Sequence, residues 1–166
     1  MALAAPVKTD PNSEAPEASA YERERGKPMP SRLHSAAQTA LILQFGEGRD
    51  RFNIHSELTL QIGDRCYTPD IAIFPKMNFD WLHDDIRVVE PPLMAVEILS
   101  PTQGSAKVMA NIDAYFAHGV ESCWLVTPPA KAVTVISRRG AQQTFTEGIV
   151  VDPATGLKAD LSAVFP

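Results

Sequence analysis

Cysteine is scarce in this sequence: two residues in 166, Cys66 and Cys123, with neither a CxxC nor a Cys/His spacing around them. That argues against a zinc site and against a disulfide-stapled scaffold, and reads as two reduced thiols in a cytoplasmic protein. Long apolar runs are missing too. None approaches the ~20 residues that cross a bilayer, and Met1-Ala-Leu-Ala-Ala-Pro is too short and weakly apolar for a secretory signal. Positive charge is also short, with a formal net charge of −5. A protein that holds nucleic acid by its phosphates is usually basic on one face, so charge alone counts mildly against such a partner. Carboxylates clustered for a divalent cation would account for part of the deficit. No phosphate-cradling loop, dinucleotide fingerprint or nucleophile elbow is present.

What is present is an ordinary globular composition, 45% apolar and 21% charged, in a chain long enough for one domain plus a tail. Residues 1–29 are rich in Pro, Ala, Glu, Ser and Arg and poor in large apolar side chains. They read as a disordered N-terminal tail, with Tyr21-Glu-Arg-Glu-Arg capable of a short helix. Residues 30–166 form the domain. Ser31 is an N-cap for a helix carrying Leu33, Ala37, Ala40, Leu41 and Phe45 on one stripe and His34 and Gln38 on a neighbouring one. A hairpin follows, turning at Gly63-Asp64, with Ile62 paired to Arg65; continued along both strands, that register sets Glu57 opposite Asp70 on a shared face. After an irregular connection from Pro75 to Pro92, Leu93–Leu99 is an apolar run broken only by Glu97, the pattern of a central strand. A second helix runs from about Ser105 to Ala117, with strands near 121–127, 132–138 and 142–147 and a short element closing the chain. The expected fold is a single mixed α/β domain with its sheet covered by helices.

Glu97 carries the chemical interest, because a carboxylate inside a buried strand must be neutralised, paired or bound to a cation. A salt-bridged core glutamate is one reading. The other joins it to Glu57 and Asp70: three acids and a backbone carbonyl make a reasonable Mg²⁺ or Mn²⁺ site, which polarises a phosphoryl oxygen and generates hydroxide from bound water. Trp124 sits in an apolar strand and reads as core, whereas Trp81 lies in the exposed connection and is a weak candidate for substrate contact.

Several segments in order resemble one family: Met29-Pro-Ser-x-x-His34, Ser56-Glu-Leu-Thr-Leu60, Pro69-Asp70, Pro91-Pro-Leu-Met-Ala-Val-Glu97-Ile-Leu-Ser-Pro101, and Tyr115-Phe-Ala-His-Gly-Val120 running on to Pro128. Together, from about Met29 to Phe165, they resemble the Uma-type restriction endonucleases of the PD-(D/E)XK nuclease superfamily. The resemblance implies a restriction-endonuclease-like mixed sheet flanked by helices, DNA as substrate, Mg²⁺ or Mn²⁺ as cofactor, and pairing into homodimers. It implies Asp70 and Glu97 as metal ligands, the backbone carbonyl of Ile98 as a further one, and Glu57 as a third acid. His34 and Gln38 match the first helix, where a polar residue often faces the site; His34 reads equally as a helix-surface or capping histidine.

The lysine of the superfamily pattern is missing. Leu99 stands where it would follow Glu97, and the Uma-type position on the next helix, four residues before Tyr115, is Asn111. Lys107 lies one helical turn earlier on the same stripe. It is either a replacement amine that orients water and stabilises phosphorane charge, or a solvated helix lysine beside a weakened site. The expectation is a metal-dependent endonuclease with Asp70, Glu97, Glu57, Lys107, His34 and Asn111 as the catalytic candidates. Its rivals are a nuclease-fold protein that binds DNA or protein without catalysis and, more remotely, a carboxylate acid/base pair acting on another substrate.

Overall fold

The computed structural model describes residues 20–166, and expectations for residues 1–19 lie outside it. A short helix, α1 (Ala20–Arg25), precedes α2 (Arg32–Phe45), whose N-cap Ser31 accepts the His34 N–H through Oγ at 3.2 Å. The buried stripe of α2 is His34, Ala37, Leu41 and Phe45. Leu33, expected on that stripe, is 59% exposed; the 34-37-41-45 spacing follows the helical face more closely and turns a histidine inward.

The hairpin turns at Gly63-Asp64, with Gly63 at φ 58° and Ile62 paired to Arg65. Its arms, however, are divided between two sheets. Strands β1 (Phe52–Ser56), β2 (Thr59–Ile62), β3 (Arg65–Tyr67) and β4 (Ile71–Pro75) pair as β2 with β3 and β1 with β4, and the register is continuous from Ile62↔Arg65 to Ser56↔Ile71. Glu57 interrupts the first arm at φ 55°, a left-handed conformation uncommon for a residue with a side chain. It still faces Asp70 across the ladder, its N–H donating to the Asp70 carbonyl at 3.1 Å. That left-handed residue lies between β1 and β2, where the first arm passes from one sheet to the other.

The connection from Pro75 to Pro92 contains one two-residue strand, β5 (Arg87–Val88), parallel to β2. Strand β6 (Met94–Ile98) is buried throughout, α3 (Ser105–His118) ends at Gly119 with φ 119°, and β7 (Ser122–Thr127), β8 (Ala132–Ser137) and β9 (Gln142–Phe145) complete a six-stranded sheet. The order is β1-β4-β6-β7-β8-β9. Only β6 and β7 run parallel within it, and α3 is the crossover that a parallel pair requires. A two-stranded ribbon, β10 (Ile149–Val151) with β11 (Lys158–Asp160), leads into α4 (Leu161–Val164).

Side chains of β6 alternate between two apolar clusters. Met94, Val96 and Ile98 pack with Ala37, Leu41 and Phe45 of α2, while Ala95 packs with Val108, Ile112 and Tyr115 of α3. Glu97 belongs to the α3 side. Trp124 is core, packed edge-on against Phe45 at 5.4 Å, whereas Trp81 is 90% exposed. Each large apolar side chain so buried contributes about 1.5–3 kcal/mol. Cys66 is exposed, Cys123 is buried, and both are free. Among the described residues no helix is long and apolar enough to cross a membrane.

Candidate active site

Two buried carboxylates meet where β4 begins and β6 ends. Asp70 is tied to β6 by its own backbone: its N–H donates to the Val96 carbonyl at 2.9 Å, and its Oδ2 accepts the Ile98 N–H at 2.6 Å. From α2, Gln38 Nε2 donates to the Asp70 carbonyl at 2.8 Å. The Asp70 carboxylate is thereby fixed beside the strand that carries Glu97. On the other helix, Tyr115 OH donates to Glu97 Oε1 at 2.6 Å. Both acids are 1% exposed.

The cation between them is Lys27. Its Nζ lies 2.8 Å from Asp70 Oδ1 and 2.9 Å from Glu97 Oε2, and the residue is 6% exposed. Lys27 falls in the segment expected to be a disordered tail. Residues 20–29 depart from that expectation, because the charge of a buried lysine between two buried acids is worth more in place than in water only when all three come together. Nothing in local composition signals this, since the ordering force is a tertiary charge contact. Burial would lower the lysine's proton affinity, but the Glu97 and Asp70 carboxylates more than offset it and hold the amine charged. Burial likewise opposes ionisation of Asp70, and hydrogen bonding to His34 with the charge of Lys27 reverses that, keeping Asp70 below the usual carboxylate range. For Glu97 burial wins despite Lys27, with Asp70 adding to it, and its carboxyl is pushed up.

His34 is drawn into the site rather than left on the helix surface. Its Nε2 lies 3.2 Å from Asp70 Oδ1, and its Nδ1 is hydrogen-bonded to Ser100 Oγ at 3.0 Å. The buried Glu97 Oε2 and His34 Nε2 have only the charged contacts already given, with Lys27 Nζ and Asp70 Oδ1. A buried carboxylate oxygen whose partner is a cation, beside a second carboxylate, suits a hard cation that takes oxygen ligands. The chemistry of Asp70 and Glu97 therefore fits Mg²⁺ or Mn²⁺.

Of the other expected members, Glu57 meets Asp70 through its backbone N–H, which donates to the Asp70 carbonyl at 3.1 Å. Among the described residues, no three His, Cys, Asp or Glu side chains form a group that could hold a metal ion. Lys107 bonds through Nζ to the Gly26 carbonyl rather than to either acid, so it anchors the segment that carries Lys27. Asn111 lines a neighbouring cleft of about 480 Å³, together with Arg23, Lys27, Arg65 and Lys107. Among the described residues, every charged side chain lining that cleft is basic, despite the acidic chain as a whole. Cys123, near Glu97, is no nucleophile, because burial and then the Glu97 charge push its thiol up.

Comparison with known proteins bears on the family and the fold. The family described as Uma2, "Putative restriction endonuclease", matches residues 12–163. Among solved structures, the chain is similar to a nuclease of the DUF820 group from Anabaena variabilis, described as putative, with 26% identity, a TM-score of 0.72 and 83% of each chain covered. Comparison with the curated proteins gave no match.

Proposed function

The chain belongs to the Uma2 restriction endonuclease family, and from that premise we propose that it is a Mg²⁺- or Mn²⁺-dependent endonuclease hydrolysing DNA phosphodiester bonds. The observation that carries the reading is the pair of buried carboxylates, Asp70 and Glu97, held 2.8 and 2.9 Å from one shared cation. Asp70, Glu97 and the Ile98 carbonyl would hold the metal, which supplies a polarised phosphoryl oxygen and an activated water. The protein's part is to hold these ligands still. The Ile98 N–H and the Gln38 amide fix Asp70, and Tyr115 fixes Glu97. The basic cleft would receive the DNA backbone, and its charge explains how an acidic protein binds a polyanion. In the reaction the water oxygen bonds to phosphorus as the ester P–O bond breaks. The proton from water passes to solvent and the departing oxygen takes one up, leaving a phosphomonoester and a hydroxyl end. Homodimer formation belongs to the same proposal and is read by sedimentation.

Plasmid nicking tests the function. Full-length protein with Mn²⁺ converts supercoiled plasmid to nicked and linear forms, and Glu97→Ala does not. Activity no higher than that of Glu97→Ala overturns the enzyme and leaves a nuclease-fold binding protein, the reading that Asn111 at the family lysine position favours.

A further inference from the structure

We propose that the N-terminal segment is part of the active site and that Lys27 is its catalytic amine, stabilising the charge that develops on the phosphoryl group. This rests on the nuclease reading above. Three independent observations carry it. Lys27 Nζ is within 2.9 Å of both acids, so it is already at the reacting centre. The same residue lines the basic cleft with Arg23, Arg65 and Lys107, so it stands between the acids and the place where a phosphate would lie. Its segment is also held in shape and in place: the Met29 N–H donates to Glu22 Oε1 within the segment at 2.9 Å, and Lys107 Nζ of α3 donates to the Gly26 carbonyl.

A divalent metal held by Asp70 and Glu97 would compete with Lys27 for their oxygens, and the cleft that Lys27 also lines is where its amine would meet a non-bridging oxygen of a bound phosphodiester. Lys27 stays protonated and acts by charge, taking no proton from the attacking water. It supplies from the N-terminal segment the cation that Asn111 cannot supply from α3. Lys107 is then a positioning residue for the segment.

A purely structural counter-ion predicts something different, because a divalent metal would replace its charge and restore everything. Full-length wild type, Lys27→Met and Lys27→Arg are therefore compared for Mn²⁺ affinity by calorimetry, for thermal midpoint with and without Mn²⁺, and for plasmid cleavage. Lys27→Met is expected to bind Mn²⁺ at least as tightly as wild type, since a competing cation is gone. Mn²⁺ restores its thermal midpoint, yet cleavage stays down by about 100-fold, the scale of losing one charge-stabilising group. Lys27→Arg regains about tenfold of that loss by keeping a cation in place. Mn²⁺-loaded Lys27→Met that cleaves like wild type overturns the role of Lys27 alone, as does an Mn²⁺ affinity that falls sharply in this variant. A wild type that binds Mn²⁺ and cleaves nothing removes the nuclease reading and this role with it.

Discussion

Among the described residues, acids are buried in two places and treated in opposite ways. Asp152, between β10 and β11, is enclosed by neutral donors: Ser122 Oγ at 2.6 Å, Trp124 Nε1 at 3.1 Å, the Ala154 and Thr155 N–H groups at 3.0 and 2.8 Å, and Thr155 Oγ1 at 2.8 Å. Both of its oxygens are used, and the bonds tie the loop after β10 to the core strand β7. Asp70 and Glu97 receive fewer neutral donors, the Ile98 N–H and the Tyr115 hydroxyl, and depend on one lysine brought from outside the sheet. A carboxylate satisfied by fixed neutral groups holds a structure together and has no use for a cation. One satisfied by an exchangeable cation is prepared to hold another. Burial alone does not separate the two cases; the kind of partner does.

The contrast can be broken from either side. The largest effect falls on the pair proposed to hold the metal. Glu97→Gln keeps the shape and an acceptor for Tyr115, so plasmid cleavage drops by about three orders of magnitude while the thermal midpoint moves little. Large unfolding with unchanged cleavage per folded molecule would put Glu97 in the same class as Asp152. Next comes Asp152→Ala, which strands several buried donors and costs about 3 kcal/mol in chemical denaturation. The Mn²⁺ affinity of the folded fraction is unaffected, and a fall in it would erase the distinction. Lys107→Ala removes the grip on the Gly26 carbonyl and costs about 1 kcal/mol or less. Limited proteolysis near residues 20–30 speeds up and cleavage weakens a few-fold; an unchanged digestion pattern would show the segment held by Lys27 alone. Trp81→Ala is the smallest change, within about 0.5 kcal/mol in stability, and a large loss of DNA affinity would promote the exposed connection to a substrate contact.

Much of the sheet was legible because its signals are local. Gly63-Asp64 set the hairpin turn and its register, and the apolar run broken only by Glu97 marked a central strand. The left-handed backbone of Glu57 was not legible, because a positive φ at a residue other than glycine leaves no trace in the sequence. The helix face of α2 shifted by one position, from Leu33 to His34, since the choice between neighbouring stripes is made by what packs opposite. Lys27 left the weakest trace. It lies in a polar, proline-containing stretch with no periodicity, and its burial follows from Asp70 and Glu97, 43 and 70 positions further along the chain. The one available signal was indirect: a site with two acids and no amine on its expected helix has a charge to balance, and Lys27 stands seven residues before His34, where the matching helix begins.

The central claim is that Asp70 and Glu97 are built to hold a divalent cation. Calorimetric titration of the full-length protein with Mn²⁺ tests it most directly, with Glu97→Gln alongside. Saturable binding near one ion per chain in the wild type, abolished in Glu97→Gln, is the predicted result; no saturable binding in the wild type, or the same isotherm in both proteins, would contradict it.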